Sequence, residues 1–225
     1  MPTLPFVESL EDRRLLSASP IRAPHAVTPS HAIKATRAVK GVRTYSDRTF
    51  NNADWTTSYT YVGNGGTATA AQVKKGGSPG SFRQITDTVA DASFFYVFNA
   101  NRKAVYNPAQ LGAITSINYS ESNKLISGFG QGQGTGPAIL QNGKIYLTTA
   151  RTLITPNAKW TKGSLSNLTA ADFTTIDTGE TPDFSQTAAP IQFGFYRGNS
   201  ATFSYTISAA IDNWVLKVNT LKTKG

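Results

Sequence analysis

An alternation of apolar and polar residues with a period of two, sustained over 190–219, constrains this chain more than any other feature. Ile191, Phe193 and Phe195 alternate with Gln192, Gly194 and Tyr196. Phe203, Tyr205 and Ile207 alternate with Thr202, Ser204 and Thr206. Trp214, Leu216 and Val218 alternate with Val215 and Lys217. Successive side chains of a strand point to opposite faces, so these runs predict three strands and two turns of a half-buried antiparallel sheet.

The same signature recurs upstream. Asp47-Arg48-Thr49-Phe50 predicts a first strand, in a domain that begins near Thr44. Trp55 opens a second, with Thr57, Tyr59 and Tyr61 on its face. The run from Phe94 to Phe98 is apolar on both sides and predicts a strand covered on both faces. Residues 127–137, with glycine at 128, 130, 132, 134 and 136, read as a mobile loop; the spacing is not that of a phosphate loop. Asn142-Gly143 between alternating runs predicts a two-residue type I′ hairpin. Its register sets Leu140 against Ile145 and Ala138 against Leu147, and this apolar side is expected to face the core. Gln141, Lys144, Ile139 and Tyr146 are then turned outward. About ten short strands without a helical period predict an all-β, two-sheet antiparallel sandwich of jelly-roll type over 44–221.

Composition removes several chemistries. The chain of 225 residues has no cysteine, and its two histidines, His25 and His31, lie in a segment rich in Ala, Pro and basic residues. That segment, 19–43, predicts a disordered linker that buries too little apolar surface to offset chain entropy. The domain thus lacks the parts of a Ser-His-Asp triad, a cysteine nucleophile or a histidine zinc site. The net charge of +9 invites a nucleic-acid reading, but the basic residues beyond Thr44 are scattered rather than gathered in a patch, so no nucleic-acid partner is expected. No apolar run is long enough for a spanning helix.

Two resemblances add to this. The segment 6–18, with the core Leu10-Glu11-Asp12-Arg13-Arg14-Leu15-Leu16, resembles the short N-terminal segment of many planctomycete exported proteins. It implies export to the cell surface or beyond, with 1–18 as the sorting segment. The stretches 76–83 (GGSPGSFR) and 210–218 (AIDNWVLKV) resemble parts of exported bacterial carbohydrate-binding, concanavalin-like and laminin-G-like jelly rolls. In such modules the acid heading the last strand commonly binds calcium. The resemblance implies a structural calcium at Asp212, with Asp47, Thr49 and Asn51 supplying further oxygens. Asp212 lies between Ile211 and Trp214, where an unpaired carboxylate would be costly.

Three functions remain open. A non-catalytic module could bind a polysaccharide or cell-surface glycan through outward rings and amides, namely Tyr146 and Gln141 on one strand and Tyr196 and Gln192 on another. A structural or interaction module would bury or scatter those rings. A glycosidase needs two facing carboxylates, and the domain's only glutamates, Glu121 and Glu180, sit in no such pattern.

Overall fold

The computed structural model describes residues 37–128, 133–156 and 159–224. The predicted export segment and most of the predicted linker lie outside them. The described residues form two antiparallel sheets packed as a jelly-roll sandwich. In the first sheet, β1 (Arg37–Asp47) pairs with β13 (Tyr205–Lys224), and β13 also sits between β6 (Ala113–Gly128) and β4 (Gly80–Val89). Beyond these lie β10 (Thr161–Leu168) and β3 (Gly66–Gly77). The second sheet runs β11 (Phe173–Thr174), β8 (Lys144–Thr148), β7 (Gln133–Gln141), β12 (Ile191–Ala201), β5 (Ser93–Tyr106) and β2 (Trp55–Val62). The short β9 (Thr152–Ile154) pairs with β7, and α1 (Pro108–Leu111) is a single turn.

The domain starts earlier than its composition suggests. β1 begins at Arg37 rather than near Thr44 and pairs with β13 from Arg37↔Lys224 to Asp47↔Trp214. Backbone pairing holds this strand while Val39 and Val42 stay exposed, which is why its sequence resembles a linker. Chain direction changes just after Asp47. One carboxylate oxygen accepts from the amides of Thr49 (2.7 Å) and Phe50 (2.9 Å), and Phe50 takes a left-handed φ of 53°. The predicted strand 47–50 is therefore a strand end followed by a turn.

The last two predicted strands are one. β13 passes through Asp212-Asn213 as a bulge rather than a turn, with Asn213 at φ 51° and a register shift between Asp212 and Val215. The extra residue flips the phase. Ile207 and Ile211 are buried before it, and Trp214, Leu216 and Val218 are buried after it, all on the core side. Phe203 falls in the preceding loop and is 81% exposed.

Between the sheets, Trp55 meets Trp214 edge-on at 5.3 Å and stacks on Phe50 at 5.4 Å. Ile85, Val89, Phe95, Ile117, Ile139, Phe193 and Phe195 complete the centre. The interior is not wholly apolar. Arg197 is fully buried and donates from Nη1 to both oxygens of Glu121, at 3.1 and 3.2 Å, and to the Thr135 hydroxyl. Glu121 also accepts from the Tyr119 hydroxyl (2.5 Å) and from Asn123 (3.1 Å). Nearby, Asp87 accepts from Gln133 (2.9 Å) and Asn199 (3.3 Å) on one oxygen.

Candidate binding groove

The hairpin register is as the Asn-Gly turn predicts. Asn142 and Gly143 have φ of 52° and 76°, Leu140 pairs with Ile145, and Ala138 pairs with Leu147. The faces are the reverse of the expectation. Ile139 and Tyr146, the latter 5% exposed, lie in the inter-sheet core. Ala138 and Leu147 are buried on the opposite side of the second sheet with Phe98, Ala100 and Tyr196, and Leu140 and Ile145 pack against them. Tyr146 is larger than any residue on the hairpin's other side and packs between the sheets.

The four predicted contact residues therefore do not share a face. Tyr146 and Gln141 point inward; Gln192 and Tyr196 point outward. Gln141 is a buried clamp, donating to the carbonyls of Asp183 (2.8 Å) and Ala189 (3.1 Å) and accepting from the Asp183 amide (2.9 Å). Gln192 is committed to the Asn101 carbonyl at 3.1 Å. Tyr196 faces out but forms part of a floor, with its hydroxyl on the Thr148 carbonyl at 3.2 Å. Burial pushes its phenol up to about 12, with the charge of Arg151 acting against that rise.

Pairing places Gly134, Gly136 and Ala138 of β7 beside Gly198, Tyr196 and Gly194 of β12. On its other side β12 sets these three beside Tyr96, Phe98 and Ala100 of β5, with Phe94 one step further opposite Ser200. All of these project from the outer face of the second sheet. The glycines are where the rings lie down. A Cβ at Gly198 would stand 3.0 Å from the Tyr96 ring and 3.3 Å from the Tyr196 ring, and one at Gly136 would stand 3.2 Å from Tyr196. The two ring centroids are 6.4 Å apart, inclined at 53°.

Above this floor the surface is hollowed. One hollow of about 240 Å³ is lined by Phe94, Tyr96, Arg151, Leu153, Tyr196 and Gly198, among others. A second of about 240 Å³ shares Tyr96, Arg151 and Tyr196 and reaches Thr149, Thr175 and Ile176. A third, about 310 Å³, continues from Thr175 and Ile176 to Ile145, Thr60 and Val62. Through these shared residues they form one groove on the outer face of the sheet. Phe94 is 55% exposed and Leu153 56% exposed at its margin, and Val62, the partner of Phe94 across β2 and β5, is exposed beside them. A larger hollow, about 430 Å³, lies beside Asp47, Asp54, Lys103 and Trp214. Of the charged groups that line it, Lys103 is matched with Asp54 at 2.6 Å and Asp47 with four donors, Arg48 completes the set, and there is no comparable open aromatic face.

The predicted calcium ligands already have partners within the protein. Asp47 accepts from the Thr49 amide and hydroxyl and the Phe50 amide on one oxygen, and from the Trp55 indole (2.8 Å) on the other. Burial alone would raise its carboxyl, but these donors outweigh it and hold it below the usual range. Asn51 caps the short 3-10 turn after it, accepting from the Ala53 amide. Asp212 is fully buried and accepts from the amides of Ser78 (2.5 Å) and Asn213 (2.6 Å). Among the described residues no group of three His, Asp or Glu side chains could hold a metal. Calcium at Asp212 would have to displace amide donors, and thermal unfolding of the full chain decides it. Calcium at a hundred times its dissociation constant would add about 2.7 kcal/mol, lost in Asp212→Ala. A midpoint indifferent to calcium and chelator would leave Asp212 as the anchor of the 76–80 loop.

No family model matches the chain, and no curated protein matches it. Among solved structures it is similar to a family 11 carbohydrate-binding module from Clostridium thermocellum, in complex with a beta-1,3-1,4-mixed-linked tetrasaccharide. There the TM-score is 0.47 and the identity 13%, covering 77% of this chain and 94% of that one. Modules of endo-1,4-beta-D-xylanase 10B from the same organism, complexed with xylohexaose, give 0.38 and 13%, over 80% and 28% of the two chains. A protein of unknown function from Shewanella oneidensis MR-1 gives 0.37 and 15%, over 88% and 97%. Likeness of this degree assigns no ligand. The groove itself was missed in the sequence, although glycines 134, 136, 194 and 198, all on one parity, mark a face cleared of side chains.

Proposed function

We propose that the domain is an exported, non-catalytic module that binds a polysaccharide or cell-surface glycan along the outer face of its second sheet. The groove over Tyr96 and Tyr196 carries the reading. It is floored by rings laid on glycine, with threonines among its lining residues. Sugar rings offer an apolar face for stacking and hydroxyls at their rims, and this surface offers both counterparts. Catalysis has no support in the placement of the glutamates. Glu121 is buried against Arg197, and Glu180 is held by Lys144 at 2.6 Å. These two do not face one bond, as glycoside hydrolysis requires.

Affinity electrophoresis of the full chain in gels containing neutral and acidic polysaccharides tests the proposal. Tyr96 is half-buried, and its hydroxyl has no hydrogen bond among the described residues, so Tyr96→Ala removes a ring from the groove without opening the inter-sheet core. It should weaken the retarding polysaccharide by about 1–3 kcal/mol with the unfolding midpoint nearly unchanged. Retardation by no glycan would end the proposal and leave a surface interaction module.

A further inference from the structure

The geometry points to an anionic polysaccharide as the occupant of the groove, its uronate carboxylate or sulfate ester taken by Arg151. This inference rests on the carbohydrate reading above and names the class of chain. The two hollows over the tyrosines carry one formal charge between them, that of Arg151. Its side chain is exposed, and among the described residues no hydrogen bond or ion pair holds it. Its stem passes over Gly134, where a Cβ would stand 3.3 Å from Cδ, so the missing side chain makes room for it. Arg151 and Tyr196 line both hollows together, which sets the Arg151 side chain beside the floor where a sugar ring would stack.

The acids that could neutralise Arg151 from within the chain are engaged elsewhere. Glu121, beneath the floor, is matched by Arg197. Asp172 caps Thr169, accepting from its amide (2.7 Å) and hydroxyl (2.9 Å). Asp177, at the far hollow, accepts from the Thr178 amide at 2.9 Å, and Glu180 is paired with Lys144. A neutral chain laid over the groove would strip water from a free guanidinium and offer it only hydroxyls. A carboxylate or sulfate would meet it with charge-assisted, bidentate hydrogen bonds, which are the stronger kind. The net charge of +9 draws polyanions to the surface in general, and Arg151 is the group that would make the attraction local to the groove.

The experiment measures binding of the full chain at physiological salt to polygalacturonate and alginate, each beside its methyl ester, and to carrageenan beside its desulfated form. We expect one acidic chain to bind at least tenfold more tightly than its neutral counterpart. Preference for a uronate or for the sulfated chain identifies the acid group. Arg151→Gln should bring the acidic chain down to the affinity of the neutral one, and Arg151→Lys should restore part of the difference. Equal binding of acidic and neutral forms, with Arg151→Gln unchanged and Tyr96→Ala still weakening both, overturns the anionic class while the groove stands as a carbohydrate site. Equal binding of every polyanion, dextran sulfate included, with Arg151→Gln unchanged, reduces the attraction to net charge and overturns the inference. Binding of none overturns both readings.

Discussion

Arg197→Ala should cost about 3–5 kcal/mol of folding stability, read as a lower urea midpoint with an unchanged slope. The guanidinium holds both Glu121 oxygens and the Thr135 hydroxyl, and lies 5.0 Å from the Phe195 ring centre. Truncation leaves the Glu121 carboxylate buried without its cation, still tied to Tyr119 and Asn123. An uncompensated interior charge is worse than no charge at all, so the paired change Arg197→Leu with Glu121→Leu should recover part of the loss. A double variant as unstable as the two single losses added together would show that the pair does not act as a unit.

The second large effect is in pH. Burial pushes the Asp87 carboxyl up to about 7 from 3.8, with Arg197 acting in the opposite direction. Gln133 and Asn199 both donate to one of its oxygens. The other oxygen, and the side-chain carbonyls of Gln133 and Asn199, meet no donor among the described residues. A protonated carboxyl supplies a hydrogen where the ionised form has none. The folded acid keeps its proton to about pH 7, whereas the unfolded one releases it near 3.8. Proton binding therefore favours the fold: the contribution is complete below about pH 4 and is lost as pH rises through 7. Its full size is about 4 kcal/mol, as an upper bound. Asp47 works in the other direction, its depressed carboxyl adding stability that disappears only as pH falls below the ordinary carboxylate range. Urea midpoints should thus fall between pH 5 and pH 8.5. Asp87→Asn, a permanently neutral isostere with two N–H donors, should flatten that profile and exceed the natural chain at pH 8.5. An unchanged slope in Asp87→Asn would assign the pH response to other groups.

How much of this was legible in the sequence differs from element to element. The hairpin at Asn142-Gly143 was, because only a few residues accept left-handed φ at both turn positions, and the turn then dictates every pair. Which side of it faces inward was not. Both sides of β7 and β8 carry apolar residues, and the second sheet is packed on both faces, so alternation alone could not choose between Ile139 with Tyr146 and Leu140 with Ile145. β1 was hidden for the opposite reason, since a strand held by ladder hydrogen bonds needs little apolar surface. The buried Arg197 had left a trace: it continues the inward parity of Ile191, Phe193 and Phe195, and a charge on that parity requires an interior partner. The glycines of 127–137 suggested flexibility, yet Gly134 and Gly136 lie within a strand, where they serve the close approach of rings.

The bulged β13 has a further consequence, for the order in which the molecule can be made. It pairs with β1, β4 and β6, so the first sheet has no spine until residues 205–224 have left the ribosome. β1, near the start of the domain, must wait for a partner more than a hundred residues away, and such distant closure is slow. During that interval the nascent chain carries Tyr45, Ile85, Val89, Ile117 and Tyr119 unprotected, a span in which chaperone binding competes with self-association. The same delay keeps the polypeptide unfolded, the state in which a chain can still be threaded through a narrow translocation pore.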